Sequence, residues 1–237
     1  MALVSFRSWS AVRGVACMPA TLPLQQGGRR TPHGGEEPMA QAKIPMDASR
    51  FTTGMSWKDY MAQMGDTRAR TEENYQKSQL TEDERKFFGG VKSVKYAIMT
   101  VENWCGDVHR NSPLVAHVVE AIPGAELRCF LRDKEADLRD ALLNNGYQSI
   151  PVAVFFDKDW NELGRWVERA HAATAKAALI RAQTVDLAPK DDKAKQDAAM
   201  NDMRAKVAEA YNAPGGPMWR AAAAELRLVM ENAEKRK

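Results

Sequence analysis

The residues best placed to do chemistry lie in one short turn, Trp104-Cys105-Gly106-Asp107-Val108. The run before it, 94–101, is short, mostly apolar and rich in β-formers. The segment after it, 108–122, carries Val108, Val115, Val118, Val119 and Ile122 at helical spacing. A cysteine between a strand and a helix start meets unpaired backbone N–H groups and the positive end of the helix dipole, both of which stabilise a thiolate. Cys105 is therefore the candidate nucleophile. His109 and Arg110, in the first turn after Asp107, could add positive charge near it; alternatively His109 is simply an exposed helix residue. Asp107 would oppose the thiolate, or act as a helix cap that accepts backbone N–H groups. Cys129, between Arg128 and Phe130 in a second apolar run, reads as buried and structural, and Cys17 lies far upstream. His33, His117 and His171 have no spacing that would build a metal site. No phosphate loop or dinucleotide fingerprint occurs, so neither metal nor cofactor is expected.

Further elements must position that turn. Pro123-Gly124 closes the helix after Cys105, which Pro113 should kink. A strand over 125–131, a helix over 133–143 with Leu138, Leu142 and Leu143 on its apolar side, and a strand over 152–156 follow, the last introduced by Ser149-Ile150-Pro151. The polar stretch 157–161 turns that strand into another over 162–167, and an alanine-rich helix over 169–184 completes the order β-α-β-α-β-β-α. The first two connections pass through helices, which predicts parallel strands there, and the hairpin adds an antiparallel edge. The fold class is α/β: one central mixed sheet flanked by helices.

Helical extensions sit on both sides. Ser56 and Asp59 have capping-box spacing ahead of Trp57, Tyr60, Met61 and Met64; a polar helix is expected over 71–78, and Thr81 with Glu84 caps another that ends at Gly89-Gly90. Near the other end, Met200, Met203, Val207 and Tyr211 form one stripe. Trp219, Leu226, Val229 and Met230 form a second, separated from the first by Pro214-Gly215-Gly216-Pro217. These stripes would pack on their own domain or offer a homodimer surface. The expected organisation is thus a disordered leader over 1–50, a helical extension over 51–90, a central domain over 91–184 and a C-terminal helical extension over 185–237.

Composition bounds the rest. A formal net charge of +3 over 237 residues gives no electrostatic reason to expect nucleic acid or an anionic membrane as partner. Charged residues interrupt every hydrophobic stretch before it could span a bilayer. Three scattered cysteines make no secreted disulfide framework, which suits a reducing, cytoplasmic setting. No acidic residue precedes Glu36, and four arginines occur before it, a pattern compatible with an organelle transit peptide or with translation from an upstream start codon.

The β-α-β-α-β-β-α order, the Trp-Cys-Gly turn after the first core strand and the Ile-Pro step before the hairpin together resemble the thioredoxin superfamily over 91–184. More narrowly, Glu102-Asn103-Trp104-Cys105-Gly106-Asp107-Val108, Leu131-Arg132-Asp133, Ser149-Ile150-Pro151 and Gly164-Arg165-Trp166 resemble a bacterial thioredoxin-like family of poorly defined function. The resemblance implies that Cys105 is the exposed catalytic thiol, with Trp104, Gly106 and Asp107 beside it. It also implies that Pro151 is a cis-proline facing the sulfur and that Ile150 offers backbone groups to an extended substrate. The resolving cysteine of thioredoxins is Val108 here, their buried acid is Met99, and Asp107 takes the place of the proline between the two cysteines.

A mixed disulfide at Cys105 therefore has no neighbour in the motif to release it. Two functions follow. One is monothiol redox chemistry, mixed-disulfide formation or thiol sensing, with a protein or a low-molecular-weight thiol as partner. The other is a redox-inactive binding or scaffold module that holds an extended peptide near Ile150-Pro151.

Overall fold

The computed structural model describes residues 43–236. Four short helices come first: α1 (Ala48–Thr52), α2 (Trp57–Ala62), α3 (Arg68–Lys77) and α4 (Glu82–Gly89). Then follow β1 (Tyr96–Val101), α5 (Gly106–Ala121), β2 (Glu126–Leu131), α6 (Ala136–Ala141), β3 (Val152–Phe156), β4 (Glu162–Val167) and α7 (His171–Gln183). The long pair α8 (Lys193–Asn212) and α9 (Pro217–Glu234) completes the described chain. The caps form where their spacing predicts them: Ser56 Oγ accepts from the Asp59 N–H at 3.1 Å, and Thr81 with Glu84 makes a reciprocal capping box.

The strands form one mixed sheet in the order β2-β1-β3-β4. β1 runs parallel to β2, and β3 lies antiparallel to both β1 and β4. The expected parallel crossover into β3 is therefore corrected. The reason is length: α6 has six residues, which spans about 9 Å at 1.5 Å per residue, whereas crossing a six-residue strand needs about 20 Å. The helix alone does not carry the chain back along the sheet, and β3 starts at the end where β1 and β2 finish. α6 is also shorter than the predicted 133–143, and Leu143 is exposed rather than packed.

Period-two alternation sorts the central strands between two apolar layers. Ala97, Met99 and Val101 of β1, with Ala153 and Phe155 of β3, face one layer, which also takes Val108, Val115 and Val118 of α5. Ile98, Val154 and Phe156 face the other, with Leu138 and Leu142. Ile44, Met46 and Phe51 complete this second layer. The expected leader over 1–50 is thus corrected at its end, because Ile44 is only 3% exposed and α1 begins at Ala48. Each such side chain contributes roughly 1.5–3 kcal/mol by leaving water. Arg50 fixes the segment by pairing with Glu135 at 2.5 Å and Asp137 at 3.0 Å. Residues 1–42, with Cys17 and the basic leader, lie outside the described residues.

The extensions share the first layer. Tyr60, Met64, Leu80 and Phe88 from the N-terminal side, and Tyr211, Trp219, Leu226 and Met230 from the C-terminal side, belong to the same buried cluster as Val101 and Val108. The α9 stripe is therefore buried within the protomer. Two glycines permit close approaches: a Cβ on Gly54 would meet the Phe130 ring at 2.7 Å, and one on Gly164 would meet Val229 of α9 at 2.8 Å. Beside Gly54, Met55 exchanges two backbone hydrogen bonds with Cys129 on the rim of β2, at 2.9 and 2.7 Å.

Candidate functional site

Cys105 is the residue before the first turn of α5, with extended backbone, and its side chain is half-buried. Its thiol lies 3.6 Å from the carbonyl oxygen of Ile150, to which it donates. The Ile150–Pro151 peptide bond is cis. This proximity depends on the antiparallel course of β3: Thr100 pairs with Val152, so the segment that introduces β3 and the turn that follows β1 meet at one end of the sheet. A parallel β3 would begin at the opposite end.

The electrostatics around the sulfur differ from the acidic thiol that the helix start suggests. Burial is the largest influence and pushes the thiol above its ordinary value. The Val108 and Asp107 backbone N–H groups pull it down, and the Asp107 and Glu168 carboxylates push it up again. The net direction is upward, so the resting group at neutral pH is the thiol. Asp107 is no cap: its carboxylate pairs with Arg169 at 3.2 Å. Its own titration is moved upward by burial, against Arg169 and Arg110, which favour the charged form.

Trp104 stands 61% exposed at the mouth of the site, with the Arg132 guanidinium 4.9 Å above its ring. Arg132 also donates to the Gln148 carbonyl at 2.9 Å, which ties the cysteine turn to the loop that leads to Ile150. Glu102, nearly buried, accepts from the Asp133 N–H at 2.8 Å and fixes the end of β1 to the end of β2. Gly106 leaves room for Arg110, whose nearest nitrogen would lie 3.0 Å from an added Cβ. Val108, at the position of a second thiol, is wholly buried, as are Met99 and Cys129. Among the described residues, no group of three His, Cys, Asp or Glu side chains is arranged to hold a metal ion, and no helix is long and apolar enough to cross a membrane.

His109 is neither exposed nor a source of charge. It is 2% exposed, its Nδ1 lies 2.8 Å from Thr71 Oγ1, and burial with the nearby Arg70 lowers its proton affinity. Its carbonyl accepts from Asn74 at 2.9 Å. On the other flank Trp219 Nε1 donates to the Arg110 carbonyl at 2.7 Å, and the Tyr211 hydroxyl to Asn111 Oδ1 at 3.0 Å. The polar helix expected over 71–78 is present, but nothing in its sequence marked Thr71 and Asn74 as this support. Glu168 and Arg169 follow a strand in no pattern that distinguishes them.

A strand, a thiol turn and a helix on a mixed sheet, facing an Ile-Pro step, define a thioredoxin-like fold. Residues 54–184, more than half of the chain, match the family model described as Thioredoxin, and the chain belongs to the thioredoxin family. No curated protein matches it. Among solved structures, it is similar to an HIV epitope scaffold at 17% identity and a TM-score of 0.51, over 78% of this chain and 96% of that one. It is also similar to a protein of unknown function from Pseudomonas aeruginosa at 20% identity and a TM-score of 0.49, over 69% of this chain and 95% of that one. At 17% identity the likeness to the scaffold concerns the fold alone.

Proposed function

We propose that this protein is a monothiol member of the thioredoxin family, in which Cys105 forms a single mixed disulfide with a thiol partner and a separate thiol releases it. It would then stand with the bacterial proteins whose Trp-Cys-Gly-Asp turn has no second cysteine. The observation that carries this reading is the half-buried Cys105 sulfur 3.6 Å from the Ile150 carbonyl, one helical turn ahead of the wholly buried, unreactive Val108. The upward-shifted thiol gives the reading its character. A thiol of high pKa is a slow nucleophile near neutrality, but it is also a poor leaving group, so an adduct once formed persists. This favours capture or sensing of a thiol over rapid turnover.

The test is adduct formation in Cys17→Ser/Cys129→Ser protein incubated with 2-hydroxyethyl disulfide and followed by intact mass. One adduct should appear at Cys105, remain after the reagent is removed, and leave when dithiothreitol is added. If Cys105 stays unmodified at pH 8.5 while the unfolded chain reacts, the reading is wrong.

A further inference from the structure

A cleft of about 690 Å³ opens beside Trp104 and Gly106, the two neighbours of Cys105. Its walls come from α3, the first turn of α5 and α8, which supply Arg70, Arg110 and Arg204 respectively. Among the described residues, none of these three guanidiniums is ion-paired. Arg204 donates to the Asn201 amide oxygen at 3.1 Å, and Arg110 lies 6.0 Å over the Tyr211 ring. The one acid on the wall, Glu73, is held by Lys77 at 2.6 Å. Asp107, which Arg110 also influences, is bound by Arg169 at 3.2 Å. Three cations brought to one concave surface by three separate helices give it a positive potential that favours an anion, and the concavity focuses their field. The volume suits a ligand of tripeptide size.

We propose that this cleft binds the carboxylate-bearing body of a small anionic thiol or disulfide and presents its sulfur to Cys105. The proposal rests on the monothiol reading and adds the substrate class. In the reaction, Cys105 loses its proton to solvent and its sulfur attacks one sulfur of the bound disulfide. The Cys105–S bond forms, the ligand's S–S bond breaks, and the other half leaves as a thiolate with the electron pair. Cys105 is oxidised and the ligand's disulfide is reduced; attack by a second small thiolate reverses the step.

The experiment compares initial rates of adduct formation at Cys105 for glutathione disulfide, which is anionic, neutral 2-hydroxyethyl disulfide and cationic cystamine. The background is Cys17→Ser/Cys129→Ser protein. Glutathione disulfide should lead the neutral reagent by about tenfold at low salt, and cystamine should trail it. That lead should shrink as salt rises, and the anionic-to-neutral ratio should fall towards one in Arg70→Glu/Arg204→Glu. Arg70→Gln/Arg204→Gln should give an intermediate ratio, which guards against misfolding of the charge-reversed pair. A ratio near one in the parent protein, or one insensitive to both salt and substitution, overturns the proposal. If no disulfide reacts, the monothiol reading fails, and S-methylglutathione, which cannot exchange, decides the cleft separately. Saturable chemical-shift changes centred on α3 and α8 and lost in Arg70→Gln/Arg204→Gln uphold an anion site; their absence removes it.

Discussion

The side-chain amide of Asn74 donates to the carbonyl oxygen of His109 at 2.9 Å, and that oxygen is the acceptor that Pro113, four residues on, leaves without a helical donor. Proline within a helix removes one N–H and crowds the carbonyl four residues earlier. Here the orphaned oxygen lies one turn beyond the Cys105 thiol, and a helix of the N-terminal extension satisfies it. The turn that bears Cys105 is thereby held from outside the central fold.

Replacing Asn74 by Leu should destabilise the protein by about 1–3 kcal/mol, because a part-buried carbonyl loses its side-chain donor. In a Pro113→Ala background, the backbone regains an N–H for the His109 carbonyl, and the same replacement should cost less. Urea unfolding of the four proteins in this cycle measures the coupling. Purely additive losses would show that Asn74 acts elsewhere.

Alkylation of Cys105 by iodoacetamide should keep rising with pH beyond the ordinary cysteine range, with no plateau near neutrality, because the folded thiol is shifted upward. Asp107→Asn removes a carboxylate that opposes the thiolate and leaves Arg169 paired with Glu168 alone, and both changes favour ionisation. Its alkylation at pH 8 should be several-fold faster. A rate unchanged from the parent protein would mean that Asp107 does not act on the sulfur.

His109 gives the fold an acid sensitivity whose sign is fixed. Burial lowers its pKa below the ordinary 6.5 in the folded protein, so the unfolded chain binds this proton more readily. Its contribution to stability is complete above pH 6.5 and is lost as pH falls from there through the folded value. His109→Gln should be less stable than the parent protein at pH 7.5, yet lose less stability between pH 7 and pH 5. Equal slopes in urea melts at the two pH values would refute this.

Val108→Cys should create a disulfide with Cys105 on mild oxidation, since residues three apart on a helix face each other. The swap is nearly volume-conserving at a wholly buried position, so its stability cost should stay below about 1.5 kcal/mol. Protection of both thiols from alkylation after diamide treatment, reversed by dithiothreitol, is the expected result. Two thiols that stay free would mean that the turn no longer tolerates dithiol geometry.

What the sequence made legible was whatever depends on local pattern. The strands over 152–156 and 162–167 fall where β-rich runs and a polar turn put them, and the caps at Ser56 and Thr81 announce their helices. Cys105 stood out because its neighbours on either side switch period from strand to helix. The direction of β3 was not legible, because a helix between two strands suggests a crossover unless its length is weighed against the strand it must pass. Ile44 and Met46 form no periodic pattern among polar and proline residues, so their burial shows only when the uncovered sheet face is known. His109 misled for a similar reason: the face it occupies is covered by α3, an element whose polar sequence hides its packing role.

The single buried cluster that unites Tyr60 and Phe88 with Val108, Trp219 and Leu226 bears on how this protein can change over generations. Many folds are exchanged between genes as cassettes, cut at the edges of the sheet and its own helices. Here such a cut, at 91 and 184, would strip α5 of the apolar layer on both flanks and leave the His109 and Arg110 carbonyls without Asn74 and Trp219. The terminal helices and the thiol turn must therefore be inherited as one piece, and recombination within that piece should be rare among descendants that still fold.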